Sequence, residues 1–238
     1  MKVYKALVVA GLCVSMAAGL VGCGNNTLDG SKTVATVGEK TITLGEANFL
    51  LRYQQAETET YYEQMLGEGF YNLDLMGNGS TYGETVKSDV LTQIQEYCIL
   101  EEKAADYGVA LSEEDAAKIT EAAAAFLAAN SEDTKAQMTA DQETVEKVLT
   151  LITVGMKTSN AVVAEANITL TEEEIAEAEA AAAEEETEAD LESLLQTKQS
   201  EYYNEVMSGW KAEYPLTVEE AVWAEVKFNN SYELVTAE

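Results

Sequence analysis

The chain has no histidine, a single proline, and only 14 basic residues against 43 acidic ones, a net charge of −29. Without histidine it lacks the commonest general base and the commonest zinc ligand. The lone Pro215 leaves the rest of the sequence free to form long helices. The shortage of positive charge excludes a nucleic-acid surface and an electrostatic hold on anionic lipid headgroups. No phosphate-cradling glycine loop, nucleophile elbow or Cys/His metal spacing occurs, so no cofactor and no metal site is expected. Acid pairs are abundant, but in a chain with 43 acids abundance does not single out a general acid and its base.

Cysteine is also scarce, at positions 13, 23 and 98. Two of the three fall in a distinctive N-terminal stretch. Lys2 and Lys5 precede the uncharged run Ala6 to Leu20, which is too short for an ordinary membrane span and has the layout of a secretory signal. It ends in Leu20-Val21-Gly22-Cys23, the pattern of a bacterial lipobox. Residues 1–22 are read as a lipoprotein signal peptide and Cys23 as the lipidated N-terminus of the processed chain, held at the membrane by acyl chains. The signal takes two lysines and no acid with it, leaving 12 basic residues against 43 acidic ones, a net charge of −31. Cys98 then has no internal disulfide partner. Among Ile94, Ile99 and Leu100 it reads as a small buried hydrophobe.

Residues 23–32 form a polar tether. Two β-rich runs, Thr33 to Val37 and Lys40 to Thr43, flank Gly38-Glu39 as a hairpin that needs a packing partner. Thr43-Leu44-Gly45-Glu46 has capping-box spacing and opens a helix. The glycine-rich stretch 67–83 reads as a loop holding several apolar side chains. Apolar positions at Val86, Val90, Ile94, Cys98 and Ala105 predict a helix ending at Tyr107-Gly108. Ser112-Glu113-Glu114-Asp115 caps a third helix ending near Asn130, and a fourth is expected from about Thr139. Residues 172–190 hold ten acids and no base, a solvated helix or linker. A last helix begins at Leu191, and Trp223 to Phe228 alternates like a strand.

The phrase VATVGEKTITLGE, Val34 to Glu46, resembles the opening of the SurA/PrsA-type foldases. The stretch Val90 to Asp115 resembles the family's helix followed by a "G-apolar-x-apolar-S/T-x-E-E" phrase, with Gly108, Val109, Leu111, Ser112, Glu113 and Glu114 in those places. The resemblance implies a mainly α fold: a helical chaperone scaffold with a small N-terminal β-hairpin that a C-terminal strand joins. It divides the chain into a scaffold domain at 33–170, an acidic helix or linker at 171–190, and a C-terminal helix and strand at 191–238 that pack back on the first domain. Complete members carry a parvulin-type prolyl isomerase module where this chain has only the acid-alanine run. No catalytic residue carries over.

The resemblance further implies an ATP-independent foldase or holdase that binds unfolded or partly folded exported polypeptides, facing outside the cytoplasm. Flexible methionines and amphipathic tyrosines suit such contacts, and Tyr61, Tyr62, Met65, Tyr71, Met76, Met156, Tyr202 and Met207 are the candidate client-contacting residues. The alternative is a non-catalytic envelope lipoprotein that holds one specific partner.

Overall fold

The computed structural model describes residues 15–19, 28–184 and 187–235. Cys23 and the lipobox lie outside them. The architecture is mainly α, as expected. Strand β1 (Ser15–Gly19) falls inside the stretch read as a signal peptide.

The hairpin forms where its β-rich runs predict. β2 (Thr33–Val37) and β3 (Lys40–Thr43) pair antiparallel with Val37 opposite Lys40. Gly38 makes the turn at φ +57, and a Cβ there would stand 3.1 Å from the Tyr214 ring, so both backbone conformation and space favour glycine. Val34, Ala35, Val37 and Ile42 are buried.

A third strand, β4 (Leu216–Val218), joins the free edge of β2 to give the order β3-β2-β4. Val37 lies opposite Leu216, Gly38 N–H donates to the Pro215 carbonyl at 3.2 Å, and Glu219 N–H donates to the Val34 carbonyl at 2.8 Å. A C-terminal strand therefore completes the hairpin, but it is not Trp223 to Phe228. That segment begins in a short helical turn (Glu220–Trp223) and continues unpaired. The Lys87 ammonium takes the Trp223 and Val226 carbonyls at 2.6 and 3.0 Å, and Trp223 and Val226 are both buried, three residues apart rather than two. Burial pushes Lys87 down to about 8.

Side-chain caps start the helices. α1 (Leu44–Leu66) opens on a complete capping box, with Glu46 N–H donating to Thr43 Oγ1 at 3.2 Å and Thr43 N–H to the Glu46 carboxylate at 2.7 Å. Thr81 and Glu84 repeat the device at α2 (Tyr82–Lys103), and Ser112 and Asp115 at α3 (Glu113–Ala129). α2 runs into a 3₁₀ turn, Ala104–Tyr107, and stops at Gly108, φ +64. The fourth helix does not start at Thr139. A short α4 (Glu132–Met138) comes first, and Thr139 ends it in the left-handed conformation at φ +54. Asp141 then caps α5 (Gln142–Glu165), its carboxylate accepting from Thr144 N–H at 2.7 Å.

The core lies where α1, α2, α3 and α5 meet beneath the sheet, with Phe49 and Phe126 edge to face at 5.3 Å. Cys98 is part of it, and burial pushes its thiol up to about 11, which makes it inert. At Gly155 a Cβ would stand 2.6 Å from the Tyr97 ring, so the glycine sets how closely α5 approaches α2. α6 (Glu172–Glu184) buries nothing. Lys198 of α7 (Leu191–Glu213) anchors its start, donating to Glu174 at 2.7 Å and to the Thr169 carbonyl at 3.1 Å.

After α8 (Glu220–Trp223) the tail runs extended along α1, where three polar side chains spaced three and four apart receive it. Arg52, only 5% exposed, donates to Gln55 Oε1 at 2.6 Å and to the Lys227 carbonyl at 2.7 Å. Gln55 donates to Glu59 at 2.9 Å and to the Asn230 carbonyl at 2.7 Å, while Glu59 accepts the Tyr232 N–H at 2.5 Å. Phe228 and Tyr232 each set a ring about the guanidinium, 5.5 and 5.6 Å from it. Burial raises the Glu59 carboxyl above its ordinary value and lowers Arg52 below its own. Arg52→Ala leaves Gln55 and a tail carbonyl without their buried donor, at a cost of about 3 kcal/mol. A thermal melt by circular dichroism should show a midpoint lower by roughly 6–12 °C.

Candidate functional site

The large apolar side chains that the fold leaves exposed among the described residues all fall between Tyr61 and Met76. Tyr61 is 75% exposed, Met65 71% and Met76 71%, joined by Tyr62, Leu66, Leu73 and Leu75. They share one end of the α1–α2 pair: Tyr61 to Leu66 form the last turns of α1, and Leu73 to Met76 lie in the loop leading to α2.

That loop is held from beneath. Phe70 and Tyr71 are buried and stacked at 4.5 Å, and Tyr71 stacks on Phe228 of the tail at 4.4 Å with the rings 5° from parallel. Tyr82 closes the cluster, 5.3 Å from Tyr71. The Asp74 carboxylate accepts N–H bonds from Asn78 at 3.1 Å and Gly79 at 2.8 Å, which keeps it below its ordinary pKa. Tyr82 N–H donates to the Leu73 carbonyl at 2.8 Å. The loop backbone is thus fixed while its apolar side chains face water, an arrangement that marks an interaction surface. Gly83 allows the tail to reach this anchor: a Cβ there would stand 2.6 Å from the Phe228 ring.

A second feature is a cleft of about 580 Å³ between β3, α1, α2 and α5. Ile42, Leu50, Ile94, Val148 and Leu151 supply its apolar lining, and Glu46, Glu101, Glu143 and Glu146 outnumber Lys40 and Lys147 around it. Lys40 pairs with Glu101, and Lys147 with Glu143 at 2.7 Å. Apolar floor and acidic surround together suit a chain segment that mixes aliphatic and basic side chains. Tyr97 also lines a neighbouring hollow of about 230 Å³ with Leu100, Met156 and Tyr203.

The residues singled out from sequence divide accordingly. Tyr61, Tyr62, Met65 and Met76 come together on the exposed tip. Tyr71 does not join them: it is 2% exposed, the central ring of the aromatic anchor under the loop. Met207 is equally excluded, the one buried residue of α7, turned into the core. Met156 lines the smaller hollow, and Tyr202 is half-buried on α7. Sequence reasoning missed Leu66, Leu73 and Leu75 of the tip and the whole cleft lining. Leu73 and Leu75 carried a signal in their glycine-rich surroundings, since a loop that cannot bury its leucines displays them. No group of acids or cysteines among the described residues is arranged to hold a metal ion. No helix among them is long and apolar enough to cross a membrane.

Residues 1–140, more than half of the chain, match the family model of the SurA-like N-terminal domain. No curated protein and no solved structure matches.

Exposed side chains contribute little to stability, so replacing Tyr61, Met65 and Met76 by serine should leave the melting midpoint within about 2 °C. The same triple variant should lose most of the fluorescence of a bound apolar dye such as bis-ANS. Undiminished dye binding would place the accessible apolar surface elsewhere.

Proposed function

Since the chain belongs to the SurA-like N-terminal domain family, we propose that it is a membrane-tethered, ATP-independent chaperone of exported polypeptides that lacks an isomerase module of its own. The observation that carries this reading is the tip: seven large apolar residues exposed together, four from the end of α1 and three from a loop with a fixed backbone. A rigid scaffold with adaptable methionine and tyrosine side chains engages many sequences without prior ordering of the site. The cleft adds a place for aliphatic side chains of the same client, and its acids favour basic neighbours.

The charge balance serves the same role. A surface that displays apolar side chains invites self-association, and the processed chain's net charge of −31, 12 basic residues against 43 acidic ones, opposes it by repulsion between copies. It also draws in basic segments of unfolded chains over roughly 8 Å at physiological ionic strength. Tethering rests on the leader and Cys23. Acylation of the thiol supplies the anchor that no described helix provides.

The tethering half is checked by mass and fractionation: protein from the membrane fraction should begin at Cys23 and carry added diacylglyceryl mass, and Cys23→Ala should accumulate as unprocessed precursor. The chaperone half is checked by light scattering of two unrelated unfolding proteins. Near-stoichiometric protein should suppress aggregation of both, less so at 1 M salt, where the Debye length is about 3 Å, and the Tyr61/Met65/Met76 serine variant should suppress it poorly. Absence of suppression at every ionic strength would favour a lipoprotein dedicated to one partner.

A further inference from the structure

The last strand of the chain has its only strand neighbour, among the described residues, in the stretch read as a removable leader. β5 (Ser231–Val235) pairs antiparallel with β1, with Ser15 opposite Val235, Ala17 opposite Glu233 and Gly19 opposite Ser231. β5 lies against α1, where Glu59 takes the Tyr232 N–H and Tyr232 itself is buried. β1 also touches α3 and α4. β1 therefore sits in a slot formed by β5, α3 and α4.

Backbone groups along a strand alternate in direction. The Tyr232 N–H points to Glu59, so the N–H and C=O groups of Ser231, Glu233 and Val235 point the opposite way, toward β1. Cleavage before Cys23 removes β1 and leaves these groups without their ladder. An unpaired edge is a template for another strand. Addition of a strand draws its affinity from the main chain and so tolerates varied sequences. The paired segment shows what the slot takes: Ser-Met-Ala-Ala-Gly is extended and uncharged.

We infer that the slot beside β5 is a strand-accepting client site, filled in the precursor by the chain's own leader and opened by leader removal to an extended, uncharged segment of an exported polypeptide. The inference rests on the chaperone reading and on processing at Cys23. It adds a second mode of engagement, through main chain rather than side chain. It also adds a safeguard, because the precursor cannot take a client strand before its own leader is removed.

The probe is a synthetic peptide of residues 14–21, followed by fluorescence anisotropy. The protein is compared as the processed lipoprotein in detergent and as the full chain carrying Cys23→Ala with its leader retained. The peptide should bind the processed form and not the full chain. Methylation of the Ala17 amide, which faces Glu233, should weaken binding about tenfold by removing a ladder bond and adding bulk at the edge. Methylation of the Ala18 amide, which faces away, should weaken it far less. Hydrogen exchange of the Glu233 amide should be slow in the full chain, fast in the processed form, and slow again with peptide.

Failure of the peptide to bind the processed form, or equal loss from both methylations, would overturn the inference. So would a membrane-extracted chain that keeps residues 1–22, or a dimer that protects the Glu233 amide without peptide. Aggregation suppression measured on the same samples separates the two readings. If suppression persists while peptide binding fails, the strand site alone falls.

Discussion

The buried polar file on α1, Arg52-Gln55-Glu59, constrains everything else in the molecule. A guanidinium, an amide and a carboxylate removed from water require partners. Beyond the contacts within the file, they find them in the backbone of the C-terminal tail at Lys227, Asn230 and Tyr232. A helix near the start of the chain can satisfy its interior only when the end of the chain returns to it. The return brings β4 to the edge of β2 and lays Phe228 on Tyr71. That stack fixes the floor of the loop displaying Leu73, Leu75 and Met76. The exposed site thus depends on a polar interaction on the far side of the loop's aromatic anchor.

Much of this was legible from the residues themselves. Capping boxes are local devices, each a hydroxyl and a carboxylate three positions apart, so Thr43 and Ser112 announce their helices without reference to the rest of the chain, whereas the box at Thr81 and Glu84 opens at the end of the stretch read as a glycine-rich loop. Cys98 is similarly plain among its aliphatic neighbours. What could not be read involves distant partners. Arg52 looks like a solvated charge in sequence, because nothing in a linear reading shows that the Lys227 carbonyl, 175 positions away, will meet it. Trp223 to Phe228 alternates as a strand does, yet Lys87 claims its carbonyls and turns it aside. Thr139 is β-branched and poorly suited to a left-handed conformation. It is held there through its hydroxyl, which donates to the Gly45 carbonyl at 3.1 Å and accepts from Asn48 at 3.2 Å.

The same distinction separates the candidate contacts. Tyr71 and Met76 are chemically suited to the same task and lie five positions apart, but only one remains in water. The difference is the aromatic partner. Tyr71 meets Phe70, Tyr82 and Phe228, two of them close in sequence and one supplied by the tail, whereas Met76 projects from a turn whose backbone is tied by Asp74. Side-chain chemistry nominated the set, and long-range packing selected from it.

α6 and its anchorage carry a consequence for how this architecture diversifies. The Lys198 ammonium reaches both Glu174 and the Thr169 carbonyl, so the chain leaves the scaffold after α5 and re-enters it through α7 at neighbouring points. Between them α6 buries no residue, and the sheet and tail contacts that close the domain lie outside this excursion. A connection with adjacent ends and no buried surface is where domain insertion is tolerated. The region is a splice point: a folded module set there, or removed from it, changes the length of a solvent-facing detour and leaves the hydrogen-bonded closure between Arg52 and the C-terminus undisturbed. Insertion or removal of a module at this point is then nearly neutral to folding.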